Sequence, residues 1–309
     1  MHVIKEDDYF QEPAQFDAFW RHAKAELREI PFAFDVYHTT QTLAIDEIGD
    51  FTYRGAKKEK IHGFYLKHNG EKKPTMLTFH GYGWHKGSPE DYLDWYQLGI
   101  NVFAIDIRGQ RGQTMDRFLY PEGDHRLMTK GLGYPEHYYL KHVYQDGLQL
   151  IELVKTLDFV DANHIILHGG SQGGGLVLAL AGLSDVAYTL ADVPSYSYFK
   201  GRIATKNGAV REIADYIEEK KLNIDAVLKS LSFFDLIFFA PRITCPIFCS
   251  VGLKDDICPA LYFMPAYEKV KTEKYLIEYP NAGHEGGSDV HHVKKLSVLR
   301  EWLAHNITT

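Results

Sequence analysis

The chain has 309 residues, 45% of them apolar, and a formal net charge of -7 at pH 7. It is long enough to bury one extensive core, and its mild acidity without a long basic stretch argues against nucleic acid as a partner. No apolar run approaches the roughly 18 residues of a membrane-crossing helix. The opening "MHVIKEDDYF" lacks the apolar heart of a leader peptide. Three cysteines, Cys245, Cys249 and Cys258, read as small buried apolar residues of a reduced compartment rather than a disulfide framework. The expectation is a cytoplasmic protein that no membrane anchors.

In chain order, "PAQFDAFWRHAKAELREI" opens with Pro13 and spaces Phe16, Trp20, Ala23, Leu27 and Ile30 along one helical face. "TLAIDEI", "DFTYRG" and "KIHGFYLKH" then read as strands of an antiparallel meander. From there strands and helices alternate. "TMLTFHG", "NVFAIDIRG", "HIILHGG", "VAYTLADVP", "PIFCSVGLKD" and "KYLIEYPNAG" are strands. "PEDYLDWYQLG", "YYLKHVYQDGLQLIELVKTL", "GGGLVLALAGL", "PALYFMPAYEKV" and "SDVHHVKKLSVLREWLAHN" are helices. Such alternation predicts an α/β fold, a mostly parallel sheet covered on both faces. The helical stretch 195–240 interrupts it and reads as a small insertion over the carboxyl edge of the sheet. The whole chain is expected to form one domain.

The chemistry is concentrated in "HGGSQGGG". Gly169, Gly170, Ser171, Gln172 and Gly173 spell G-x-S-x-G between a strand and a helix. That is the setting of a nucleophile elbow, in which a serine hydroxyl projects from a turn too tight for neighbouring side chains. No lysine follows these glycines as a phosphate loop requires, and no dinucleotide fingerprint follows a first strand. A serine needs a base, and the base an orienting acid. The acid is expected where "PIFCSVGLKDD" ends, at Asp255, with Asp256 the alternative within the pair. The base is expected in the loop after the last strand, at His284. His291 and His292, inside the final helix, are expected to face solvent. A zinc-protease reading of His284-Glu285 fails, because H-E-x-x-H would place histidine where Ser288 stands. The backbone N–H of Gln172 and that of Tyr82, in "TFHGYGWHKG", are the candidate oxyanion donors. Arg108 and Gln110 of "DIRGQRG" leave a core strand at the same edge and are expected to support the site.

Taken together, "RGQ", "GGSQGG" and "HE" resemble the motifs of the acetyl xylan esterase and cephalosporin C deacetylase family, carbohydrate esterase family 7, within the α/β-hydrolase fold. "HGYG", "MTKG", "ADVP" and "VGLKDDICP" extend the likeness from the first helix to the last. The resemblance implies Ser171 as nucleophile, His284 as base, Asp255 as orienting acid, and an oxyanion hole from Tyr82 and Gln172. It further implies small acetyl esters as substrates, no cofactor, no metal, and a ring-like hexamer. Where the family commonly continues "CPPST", this chain has "CPALY" from Cys258 to Tyr262. Rival readings on the same fold are a longer-chain esterase, a peptidase, or a non-catalytic binding module.

Overall fold

The computed structural model describes Tyr9 and residues 11–307. The stretch read above for a leader, residues 1–8 and 10, lies outside the described residues. Nine strands form one sheet: β1 (Phe34–Thr40), β2 (Glu47–Arg54), β3 (Lys60–Lys67), β4 (Lys73–Phe79), β5 (Asn101–Ile105), β6 (Val160–Gly170), β7 (Tyr188–Asp192), β8 (Ile247–Gly252) and β9 (Lys274–Tyr279). Their order is β1-β2-β3-β5-β4-β6-β7-β8-β9. The first three strands form the antiparallel meander, and β3 pairs with β5 antiparallel; all other pairings are parallel.

The helices are α1 (Phe16–Arg28), α2 (Leu93–Tyr96), α3 (Tyr139–Lys155), α4 (Gln172–Leu183), α5 (Phe199–Thr205), α6 (Arg211–Lys220), α7 (Ile224–Leu231), α8 (Leu236–Phe239), α9 (Ala260–Lys269) and α10 (Ser288–Asn306). The period of two along a strand divides the apolar residues between the sheet's faces. In β6, Ile165 and Leu167 join the cluster that α1, α3 and α4 cover, while Ile166 joins the one that α2 and α10 cover. Phe103 and Ile105 of β5 go one way, Val102 and Ala104 the other. Strands covered on both faces must be apolar on both, which is why β5 and β8 are buried end to end. Each fully buried large apolar side chain there is worth ~1.5–3 kcal/mol.

Two strand boundaries differ from the sequence reading. "TLAIDEI" and "DFTYRG" are not separate strands: residues from both make β2, and its hairpin partner is β1. Six of the seven β1 residues are exposed, so the strand carries no buried alternation to read. The hairpin loop turns on Thr42, whose hydroxyl accepts from the N–H groups of Ala44 and Ile45.

The insertion is helical, as expected, and is divided in position. Its end, α8, is wholly buried in the larger cluster, while α5 and the turn after it border the sheet's carboxyl edge. Asp235 joins the two. Its buried carboxylate accepts from the N–H groups of Tyr198, Phe199 and Ile237 and from the Tyr9 hydroxyl. Burial nevertheless keeps its pKa raised. Helix α1 backs the insertion: Phe19 packs on Phe233 at 4.7 Å between ring centres, and the Trp20 indole donates to the Phe233 carbonyl.

Candidate active site

Ser171 stands between the end of β6 and the start of α4 with φ 57° and ψ -115°. A non-glycine residue there is strained, and such strain is kept only where the surroundings enforce it. The enforcement is close packing. A Cβ on Gly173 would lie 2.0 Å from the Phe79 carbonyl oxygen, and one on Gly169 would lie 2.5 Å from the Gly173 backbone. Glycine lets the end of β4 press against the first turn of α4. The Ser171 N–H donates to the Asp192 carbonyl at 2.9 Å, tying the turn to β7.

The hydroxyl meets His284 Nε2 at 3.0 Å, and His284 Nδ1 meets Asp255 Oδ2 at 2.9 Å. His284 lies in the loop between β9 and α10, and Asp255 in the loop after β8. The other Asp255 oxygen accepts from the N–H groups of Ile257 and Cys258, each at 2.8 Å. Burial raises the Asp255 pKa, but the bond to His284 and the two amides outweigh it, so the carboxyl sits below its usual range. Asp256 turns outward, and its backbone carbonyl accepts from the Asn207 side chain. Asp255 rather than Asp256 is therefore the histidine's partner.

A cavity of about 410 Å³ opens over this chain of three residues, lined in part by Tyr82, Trp84, Gln172, Arg202 and Cys258. The backbone N–H groups of Tyr82 and Gln172 have no acceptor among the described residues. Their loops are braced together. Gln110 Oε1 accepts from Gly83 N–H at 2.7 Å, while its Nε2 donates to Gln172 Oε1 at 2.9 Å and to the Tyr139 hydroxyl at 3.1 Å. The Tyr196 hydroxyl also donates to Gln172 Oε1. From the insertion, Glu212 accepts the Tyr82 hydroxyl at 2.8 Å. His80 accepts from Ile107 N–H through Nε2 and pairs through Nδ1 with the Gly81 carbonyl. Burial lowers its pKa, in keeping with a neutral structural ring.

Arg108 is at the same edge but out of the cavity. It is fully buried and forks onto Asp146 of α3 at 2.6 and 2.7 Å, with a further bond to the Ala56 carbonyl. Burial disfavours its charge, yet Asp146 overrides this and raises its pKa. Arg108 thus fixes the strand from which Gln110 departs, and the Tyr139 hydroxyl donates to its carbonyl.

Sequence reasoning missed a second polar cluster, on the α10 face beneath the elbow. His291 is buried rather than solvent-facing. Its Nε2 meets Asp192 Oδ1 at 2.9 Å, its Nδ1 meets the Tyr279 hydroxyl at 3.1 Å, and its ring stacks on Phe248. Lys295 donates to the other Asp192 oxygen and, at 3.0 Å, to His168 Nε2. His292 is half-buried and meets Asp94 at 3.0 Å. The available signal was the spacing of His291, Lys295, Leu299 and Leu303, four residues apart on one face of α10 and all buried. Its polar half disguised it.

Residues 5–302 match the family model described as acetyl xylan esterase (AXE1). The chain belongs to the acetyl xylan esterase family. It is therefore a carboxylic ester hydrolase. The chain is 32% identical to an acetyl xylan esterase from Paenibacillus sp. R4, with a TM-score of 0.88 over 98% of this chain and 96% of that one. It is 26% identical to Acetyl Xylan Esterase 1 from Thermoanaerobacterium sp. JW/SL YS485, with TM-score 0.88 over 97% and 99%. The acetyl esterase Axe7A of Xylanibacter ruminicola is 25% identical over 308 residues, which cover 95% of this chain and 68% of the relative. An acylaminoacyl peptidase of Pyrococcus horikoshii, 17% identical with TM-score 0.61 over 90% of this chain and 42% of its own, shares the fold. The fold is the α/β-hydrolase fold.

Proposed function

We propose that this member of the family removes acetyl groups from small substrates by serine catalysis. The substrates are acetylated xylo-oligosaccharides and comparable acetyl esters such as cephalosporin C. The observation that carries the reading is the hydrogen-bonded line from Ser171 through His284 to Asp255, at 3.0 and 2.9 Å, beside a cavity of about 410 Å³. That volume sits at the small end of the roughly 300–1,000 Å³ of ligand sites, which suits an acetyl ester of one or two sugars.

His284 takes the Ser171 proton as Oγ attacks the ester carbonyl. The oxyanion rests on the N–H groups of Gln172 and Tyr82, each worth roughly 2.7–4 kcal/mol at the transition state. The C–O bond to the alcohol breaks, and the alcohol leaves with the proton from His284. Water then loses a proton to His284 and attacks the acetyl-enzyme; acetate departs and Ser171 regains its proton. The ionised Asp255 keeps the imidazole in the tautomer that presents Nε2 to the hydroxyl and stabilises the imidazolium. Gln110 positions both oxyanion loops, and Arg108 positions Gln110. A cytoplasmic location, read from the sparse cysteines, and a hexamer, on the strength of the family resemblance, complete the proposal. Light scattering on the purified chain measures the assembly directly.

The test is an acyl series. Activity on p-nitrophenyl acetate that falls steeply at butyrate supports a deacetylase. Activity that rises with acyl length, or release of p-nitroaniline from aminoacyl anilides, overturns it.

A further inference from the structure

Among the described residues two arginines are fully buried, and of these only one is neutralised by a carboxylate. Arg108 has its fork filled by Asp146. Arg202, on α5, is 1% exposed, yet no carboxylate lies within 4 Å of it among the described residues. Its Nη2 donates to the Ile257 carbonyl at 2.9 Å and weakly to Cys258 Sγ at 3.5 Å. Its Nε is buried without any hydrogen-bond partner. Both neighbours and Arg202 itself line the cavity. Cys258 Sγ lies 3.9 Å from Ser171 Oγ, so a single sulfur atom separates the guanidinium from the nucleophile.

An unpaired charge out of water is costly, and a buried donor without an acceptor adds to that cost. Neither neighbour is a carboxylate: one is a backbone carbonyl and the other a cysteine sulfur. The Asp255 oxygens are occupied by His284 and two amides. Nothing in the catalytic steps above uses Arg202. A site that carries an uncompensated cation beside the reacting atoms is complementary to an anion delivered by the substrate, and a guanidinium fork suits a carboxylate best.

We propose that Arg202 recognises a carboxylate on the alcohol half of the ester. The inference rests on the acetyl-ester reading, since an acetyl group has no room for a charge and the anion must belong to the leaving alcohol. The substrate class is an acetyl ester with a carboxylate a few bonds from the ester oxygen. Acetylated sugars that carry an acid group belong to it. Arg202 is then a specificity residue, and the chain hydrolyses acidic acetyl esters in preference to neutral ones of equal size.

The test uses a matched pair, acetoxyacetate and its methyl ester, which share the acetyl ester and differ in the charge and one methyl group. The quantity read is the ratio of their kcat/KM values. Arg202→Met is expected to lower the ratio of acid to methyl ester by at least about tenfold, mainly through KM for the acid. Arg202→Lys keeps the charge without the fork and is expected to recover part of it. If Arg202 only fastened α5 to the loop after β8, both esters would lose activity together and the ratio would stay within twofold; that result overturns the proposal. A second measurement needs no variant. Glycolate, the product alcohol of acetoxyacetate, is expected to slow fluorophosphonate labelling of the native enzyme at concentrations where ethylene glycol does not. Equal effects of the two contradict the assignment. Turnover of neither ester by the native enzyme would instead strike the acetyl-ester reading.

Discussion

Two aspartate–histidine pairs lie close to Ser171 and share one contact distance, through Nδ1 of His284 and Nε2 of His291. Asp255 and His284 meet at 2.9 Å, and so do Asp192 and His291. Each aspartate is at or just beyond the carboxyl end of a parallel strand. What separates them is the third group and access to the cavity. The second nitrogen of His284 faces a strained serine hydroxyl at a cavity wall, and that of His291 faces a tyrosine hydroxyl in the interior. The free oxygen of Asp255 accepts two backbone amides, while that of Asp192 accepts a buried lysine. An imidazole beside a carboxylate is thus not chemistry in itself. In the proposed mechanism the front pair passes a proton. The rear pair is neutralised by Lys295, and it serves the site through its backbone, since the Asp192 carbonyl holds the Ser171 N–H.

The comparison can be broken by exchanging which pair is damaged. Asp255→Asn should cost the most activity, about 10⁴-fold in kcat through the wrong imidazole tautomer, with the smaller shift in urea midpoint of the two. Asp192→Asn should reverse that emphasis. It leaves Lys295 buried and unpaired, which costs about 3–5 kcal/mol of stability, and urea unfolding reads it. Removing Lys295 as well, in Asp192→Asn/Lys295→Met, should restore much of the loss; no recovery would mean the pair is not the source.

Gln110→Ala sharpens the account on the front side. It unfastens Gly83 N–H and the Gln172 side chain while leaving Ser171, His284 and Asp255 in place. The expected effect is a fall in kcat of about tenfold, below the 10²–10³ of removing a donor outright, with KM little changed. A KM effect alone would assign Gln110 to substrate binding.

The most gradual effect is a pH dependence of the rear cluster. Burial, reinforced by Lys295, pushes His168 down to about 3. The unfolded chain binds that proton near pH 6.5 and the folded chain does not. Stability should therefore fall as pH drops from about 6.5 towards 3, by up to about 1.4 kcal/mol per unit from this group. Asp192, held below its usual range against burial by Lys295 and His291, adds its own loss only below about pH 4. His168→Asn should flatten the slope between pH 6.5 and 4.5, read by urea midpoints across that range.

The contrast also shows what the amino-acid order made legible. The alternation of strands and helices, the elbow around Ser171 and the loop positions of Asp255 and His284 were readable, because a tight glycine turn and a strand-end loop leave local marks. Strand β1 was not, since an exposed strand has no buried alternation. The rear cluster was not, because His291 and Lys295 on a helix read as a solvent face. Only the fold brings Asp192 beneath them, 99 and 103 residues away. The isolation of Arg202 was equally invisible, for an unpaired charge is a statement about what is not nearby.

The most direct test of the central claim is rapid-quench mass spectrometry of the native enzyme during turnover of p-nitrophenyl acetate. An acetyl group on the peptide carrying Ser171, formed and lost at the rate of turnover, is the expected result. Full turnover with Ser171 unmodified, or with the acetyl group on Cys258, would contradict the account.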